Sequence, residues 1–330
     1  MKTTTNKGHL ICLGIESTAH TFGAAVVSSK KEILSDVRDM YTSETGIIPV
    51  EAARHHEKLQ RQMIQEAIQK SGQKKIDLVA FSQSPGLPPC LKVGMLAAKE
   101  IAKELNVPII GVNHIVAHLI SGHLFTQAKN PVYVFCSGAN TQIIALEGGY
   151  FRIFGETLDS GLGNSLDKFG RGIGLGFPAG PKIEALAEKG KFIELPYVVK
   201  GMDLSFAGIV TSAVDKFKKG AKEEDLCFSM QETLFSMLTE VTERALAHTG
   251  KKEAVLIGGV AANKRLCAML DVMCKQRGAK FFQVPLKYCG DQGVMIAYQG
   301  ILEHLAGKQD SINKIDINPY QRVDEIKVFW

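Results

Sequence analysis

The chain has 330 residues, 45% of them hydrophobic and 22% charged, with a net charge of +5. That length suits one large α/β unit or two lobes with a core each, and no apolar run approaches the ~20 residues of a membrane span. Seven scattered cysteines, an odd number with no CxxC pair, argue against a disulfide framework or a cysteine zinc site and for a reducing compartment.

The polar lead MKTTTNKGH has no apolar segment behind it, so no secretion signal is expected there. LICLGIE and FGAAVVSS then flank the small polar turn STAHT, which predicts a β-hairpin. Pro49 opens an amphipathic helix that should stop at Gly72, a residue suited to a left-handed C-terminal cap. IDLVAFS reads as a strand, LKVGMLAAKEIAKEL as a helix and PIIGV as a strand running into a helix that carries His114 and His118. Strands alternating with helices at these lengths predict a largely parallel, covered sheet.

At Pro131 the opening plan recurs: PVYVFCSGANTQIIAL is strand, polar turn and returning strand, continued by YFRIFGETLD. The two segments share a plan rather than residue identities, which points to two lobes related by duplication. A glycine-dense stretch from Ser160 to Gly190 lets backbone approach a ligand, and the helix from Pro181 starts beside it with free amides. EAVLIGGVAANKRLCAML is strand, glycine turn and helix, KFFQVP is a strand, and KYCGDQGVMIAYQGILEHL is a turn entering a helix.

Histidines four apart on a helix share one face and can share a cation, although two core histidines show the same spacing. The zinc-peptidase pattern HExxH needs a glutamate between them, and Ile115, Val116 and Ala117 supply none, so peptidase chemistry is disfavoured. His123, nine residues past His114, falls about 180° round the helix and outside the cluster. Two imidazoles need a harder ligand as well, and Asp291 in CGDQG offers a carboxylate, unless it is an ordinary helix N-cap. Ser137, Gly138 and Ala139 in FCSGANT, and IGGVAAN ending at Asn263, could hold an anion. Neither a Walker nor a GxGxxG pattern is present.

The ordered set LGIESTAHT, ARHH, PGLPPCLKVG, GVNHIVAH, CSGANTQ, GETLD, GNSLDKFGR, GFPAGP, GMDLSFAG, GGVAAN, CGDQG and RVDEIKVFW resembles the universal tRNA threonylcarbamoyladenosine synthase family. ESTAHT and the RVDE tail resemble its archaeal and eukaryotic branch, the catalytic subunit of the KEOPS complex. The resemblance implies an α/β, actin-like (ASKHA) ATPase fold of two duplicated ribonuclease-H-like lobes around a nucleotide cleft. The lobes would span 1–131, joined by the tail 305–330, and 132–304. It implies transfer of a threonylcarbamoyl group from L-threonylcarbamoyladenylate to N6 of the adenosine at tRNA position 37, releasing AMP.

By motif match, His114, His118 and Asp291 would hold one divalent metal, iron or zinc, and carry the catalysis. Phe135, Cys136, Ser137, Gly138 and Ala139 would line the site for adenylate or ATP, with Asp167 on the adenosine. Gly180 would admit the ligand to the backbone, Glu184 would accept from the ribose and Asn263 would hold the opposite side. Phe135 stands where the family usually has a metal-binding tyrosine, so metal would be held by the other three with water or substrate. Lys182, Ala207 and Gln292 are smaller departures. Implied partners are tRNA, a kinase-like subunit and a small dimerising subunit, in the cytoplasm and with no membrane. The competing expectation is an ATP-binding or ATP-hydrolysing module of the same superfamily, or an inactive scaffold subunit.

Overall fold

The computed structural model describes residues 9–43 and 46–330. The polar lead at 1–9, His9 apart, lies outside the described residues. In chain order these form β1 (Ile11–Glu16), β2 (Thr21–Ser28), β3 (Ile33–Met40), α1 (Pro49–Ser71), β4 (Leu78–Ser84), α2 (Pro88–Leu105), β5 (Ile109–Asn113) and α3 (His114–Phe125). There follow β6 (Val132–Cys136), β7 (Thr141–Glu147), β8 (Tyr150–Glu156), α4 (Leu162–Gly172), α5 (Gly180–Ala187), the short β9 (Val199–Lys200) and β10 (Asp203–Leu204), and α6 (Ala207–Lys218). The chain continues with α7 (Glu223–Thr249), β11 (Glu253–Ile257), α8 (Lys264–Gln276), β12 (Lys280–Gln283) and α9 (Gly293–Leu305).

Two compact units result, one of the chain up to Leu124 with Asp291–Trp330, the other Phe125–Gly290. The sequence boundaries at 131 and 304 therefore fall later than the observed ones. The larger displacement has a simple cause: α9 packs on β1, β2 and β4, so it covers the first sheet.

In the first unit the strand order is β3-β2-β1-β4-β5. The β1–β2 and β2–β3 pairs are antiparallel, whereas β1–β4 and β4–β5 are parallel. The second unit repeats this plan as β12-β11-β6-β7-β8, with a three-stranded meander continued by two parallel strands. Each sheet is thus mixed rather than largely parallel, because the opening meander supplies the antiparallel half. β3, α4, α6, α7 and the short β9 and β10 have no counterpart in the sequence reading, and α4 forms within the glycine-dense stretch. ILSDVRDM carries charges between its apolar residues and forms a half-exposed edge.

Side chains alternate along β1. Ile11, Leu13 and Ile15 enter a core with Met63 and Ile64 of α1 and Ala98 and Ile101 of α2. Gly14 lies on the other face, against α9. A Cβ at Gly14 would lie 2.3 Å from both the Ala297 nitrogen and the Gly293 oxygen, and one at Gly293 would lie 2.7 Å from the Ala25 nitrogen. Backbone meets backbone at this contact, so no side-chain rotation could relieve an added methyl. We predict that Gly14→Ala costs the first unit about 3 kcal/mol by overpacking; an unchanged denaturation midpoint would show that α9 can withdraw.

In the second unit Asp159 ties the end of the meander to the start of α6. Its carboxylate accepts from the Ser205 hydroxyl at 2.5 Å and from the amides of Phe206, Ala207 and Ser160. Burial pushes its pKa up, but those hydrogen bonds outweigh burial and hold it below the usual value. The resulting stabilisation is present above the ordinary carboxylate range and is lost as pH falls through the depressed value. Asp159→Ala is expected to cost about 1 kcal/mol, as loss of a helix N-cap does. Thermal unfolding followed from neutral to acid pH checks both points: the variant should differ from the parent at neutral pH and converge with it in acid.

Candidate metal centre and nucleotide loops

β5 runs without a linker into α3, and the Asn113 side chain caps the turn by accepting the Val116 amide at 3.1 Å. His114 therefore sits on the first turn of α3 with His118 one turn on. Their rings meet edge to face with centroids 4.6 Å apart. His114 Nε2 lies 3.4 Å and His118 Nε2 3.3 Å from the same oxygen, Asp291 Oδ1. Side-chain exposure is 10% at His114, 3% at His118 and 18% at Asp291. Among the described residues, these three form a group able to hold a metal ion.

Asp291 is not the N-cap of α9. Gln292 takes that place, its Oε1 accepting the Met295 amide at 2.8 Å. The cap duty moves one residue on and leaves the Asp291 carboxylate turned towards the imidazoles. A glutamine at 292 serves this purpose without strain.

Two further residues belong to the cluster although the spacing of motifs did not single them out. Glu16, at the end of β1, is fully buried. Its Oε2 lies 2.9 Å from His114 Nδ1, while Oε1 accepts the Thr18 amide and hydroxyl at 2.6 and 2.5 Å. A carboxylate on Nδ1 places that nitrogen's proton towards Glu16 and leaves Nε2 as the ligand atom, the usual outer-shell arrangement of a metal-binding histidine. His20 lies beside the other oxygen of the ligand carboxylate, its Nδ1 being 3.8 Å from Asp291 Oδ2. The signal was a glutamate closing a wholly buried strand and a histidine in the following turn.

The donor set fits a divalent transition metal. Ligand bonds of about 2.0–2.2 Å meeting at tetrahedral angles put ligand atoms roughly 3.3–3.6 Å apart, as the two imidazole nitrogens are from Oδ1. Without metal, a protonated His114 lies between two carboxylates. Burial opposes a charged His114, but Glu16 and Asp291 overcome it and raise its pKa to about 10. Burial, then the charge on His114, lowers that of His118. Burial would raise Asp291, yet the two imidazoles hold it well below the carboxylate range.

The residues matched to a nucleotide site all belong to the second unit. Phe135 and Cys136 end β6 and are buried, and Tyr133, two residues before, packs edge to face on Phe151. Ser137 closes the following turn: its amide donates to the Asn140 oxygen at 2.8 Å, and its Oγ accepts the Asn140 amide at 2.9 Å. Gly138 and Ala139 stay exposed at the tip. The start of α4 lies against this tip, with the Asn164 amide on the Gly138 oxygen at 2.9 Å. A Cβ at Gly161 would come within 2.4 Å of that oxygen.

Asp167 Oδ1 accepts the Ala179 amide at 2.8 Å and so fixes the loop before Gly180. Glu184 Oε1 accepts the Lys264 amide at the start of α8 at 2.8 Å. Asn263 caps α8 through Oδ1 on the Leu266 amide, and its Nδ2 donates to Gln231 Oε1 at 2.6 Å. Asp167 and Glu184 each keep one carboxylate oxygen outside these bonds, whereas both polar atoms of the Asn263 side chain are taken up internally.

Comparison with known proteins converges on one family. The family model described as tRNA N6-adenosine threonylcarbamoyltransferase matches residues 30–298. The chain is 52% identical over 325 residues to a protein of that name from Thermococcus sibiricus (strain DSM 12597 / MM 739), covering 97% of this chain and 100% of the relative. It is 50% identical to a probable bifunctional tRNA threonylcarbamoyladenosine biosynthesis protein from Methanosarcina mazei (strain ATCC BAA-159 / DSM 3647 / Goe1 / Go1 / JCM 11833 / OCM 88), covering 96% of this chain and 59% of that one. Among solved structures it resembles full-length HypF in its phosphate- and nucleotide-bound form, with a TM-score of 0.61 at 14% identity over 92% of this chain and 47% of that one. That likeness shows the fold, actin-like with the same meander-and-crossover sheet in each unit. The chain belongs to the tRNA N6-adenosine threonylcarbamoyltransferase family.

Proposed function

We propose that the chain transfers a threonylcarbamoyl group from L-threonylcarbamoyladenylate to N6 of the adenosine at tRNA position 37, in tRNAs decoding ANN codons. Family membership along nearly the whole chain supports the reaction. The observation that carries a site for it is the convergence of His114 Nε2 and His118 Nε2 on Asp291 Oδ1.

An exocyclic adenine amine is a weak nucleophile, because its lone pair is delocalised into the ring. The acyl carbon must therefore arrive activated, and the mixed anhydride provides this. In the transfer, N6 forms a bond to the carbonyl carbon, the bond from that carbon to the phosphate oxygen breaks, AMP leaves with the electron pair, and N6 loses a proton. Holding donor and amine in register can supply about 7–11 kcal/mol of the barrier.

In the second unit, the exposed tip at Gly138 and Ala139 offers backbone to the phosphate. The free oxygens of Asp167 and Glu184 accept from the adenosine and its ribose. In the first unit, His114, His118 and Asp291 would hold a divalent metal, iron or zinc, and the chemistry such a metal would supply is Lewis-acid polarisation. Glu16 orients His114 and excludes water from its Nδ1 side. The enzyme works on tRNA in the cytoplasm together with KEOPS-type subunits, one kinase-like and one small and dimerising. The bifunctional relative, whose sequence extends beyond the matched part, supports association with a second activity.

The test is direct. Purified chain with its partner subunits, tRNA, threonine, bicarbonate, ATP and an adenylate-forming enzyme should yield the modified nucleoside on digestion of the tRNA. His118→Ala and Asp291→Ala should lower the rate by about 100-fold or more, the equivalent of a few kcal/mol. Steady ADP release with no modified nucleoside from the parent would overturn the proposal.

Glu16→Gln gives a separate prediction. The amide oxygen must stay on the Thr18 amide, so the NH2 group faces His114 Nδ1 and drives the ring proton onto Nε2, the ligand atom. Metal affinity measured by chelator competition should fall about 10–100-fold, as for lost outer-shell partners elsewhere, with little change in secondary structure.

A further inference from the structure

We infer that His20 is a positioning residue for Asp291: its Nδ1–H holds Oδ2, so that the carboxylate presents Oδ1 alone to the two imidazoles. This rests on the metal centre proposed above. Oδ1 is already shared by His114 Nε2 and His118 Nε2 at 3.4 and 3.3 Å. A carboxylate with a free second oxygen can rotate or chelate through both oxygens, which would change the number of positions left open on a metal. The nitrogen recorded beside Oδ2 is His20 Nδ1, at 3.8 Å.

That nitrogen is buried and has no hydrogen-bond partner among the described residues, although the side chain is 37% exposed. Its exposure therefore belongs to the rest of the ring. A buried donor left unmade is costly, and the acceptor close to it is Oδ2.

The backbone around His20 is fastened on every residue of the turn. The Ser17 amide donates to Ser82 Oγ at 3.0 Å and the Thr18 oxygen accepts the Leu87 amide at 2.8 Å. The Ala19 oxygen lies 3.0 Å from His56 Nε2, and the His20 oxygen accepts the Tyr41 amide at 2.8 Å. On the other side, the close approach of Gly293 to Gly14 and Ala25 fixes the chain just after Asp291. With both backbones held, the 3.8 Å between Nδ1 and Oδ2 is left to the two side chains to close.

The inference separates the two ring nitrogens, and the variants are chosen accordingly. The side-chain nitrogen of asparagine can stand where Nδ1 does, whereas that of glutamine reaches towards the Nε2 position. Full-length parent, His20→Ala, His20→Asn and His20→Gln are each loaded with Co2+, titrated against a chelator, and followed by visible absorption, whose intensity reports coordination number. His20→Ala and His20→Gln should bind about 10–100-fold more weakly than the parent with a changed cobalt spectrum, and His20→Asn should recover most of both. Parent-like affinity and spectrum in His20→Ala, or an asparagine variant as weak as the alanine one, would overturn the role of His20 and leave the centre standing. A parent that binds no stoichiometric Co2+ would overturn the centre and His20's role together.

Discussion

The contact between α9 and the first sheet is the constraint on which the centre depends. Gly14, Gly23 and Gly293 let the backbones of β1, β2 and α9 meet with no side chain between them. Asp291 lies two residues before α9, so the depth of that helix sets the height of its carboxylate. Asn113 fixes the other side by starting α3 at the very end of β5. Residues 16, 114, 118 and 291 are thus brought together by glycines and a helix cap that never touch a ligand.

Electrostatics then gives the cluster its chemical preference. Two carboxylates, Glu16 and Asp291, flank two imidazoles in a setting with little water. Buried charge persists only when paired, and here a proton on His114 provides the pairing. A divalent cation that displaces this proton would balance both carboxylates with both histidines neutral, the state in which imidazole is a ligand.

The second unit shows a different economy of polar groups. Asp167, Glu184 and Asn263 each brace one loop or helix start against another. A ligand there would meet oxygens and amides already held in place, and pre-held groups lose little entropy on binding. Burial of Cys136 pushes its thiol up and away from nucleophilic use, which leaves the exposed backbone at Gly138 and Ala139 as the part of that turn able to face a phosphate.

Much of this was legible in the residues. Hairpin and helix periodicity located most elements, Gly72 and Pro49 bounded α1, and the spacing of His114 and His118 placed both on one face because a helix repeats locally. Motif order named the family. The sequence left open whether Asp291 capped α9, because an acidic residue ahead of a helix looks the same in either role. It also left Glu16 and His20 unassigned, since their meaning lies in residues about a hundred and more than two hundred and fifty positions away. Local rules determined the elements and the paired imidazoles. Only the packing of α9 on the glycine face of the sheet decided which carboxylates meet them, because pairing across such distances is settled by shape and burial rather than by neighbouring residues.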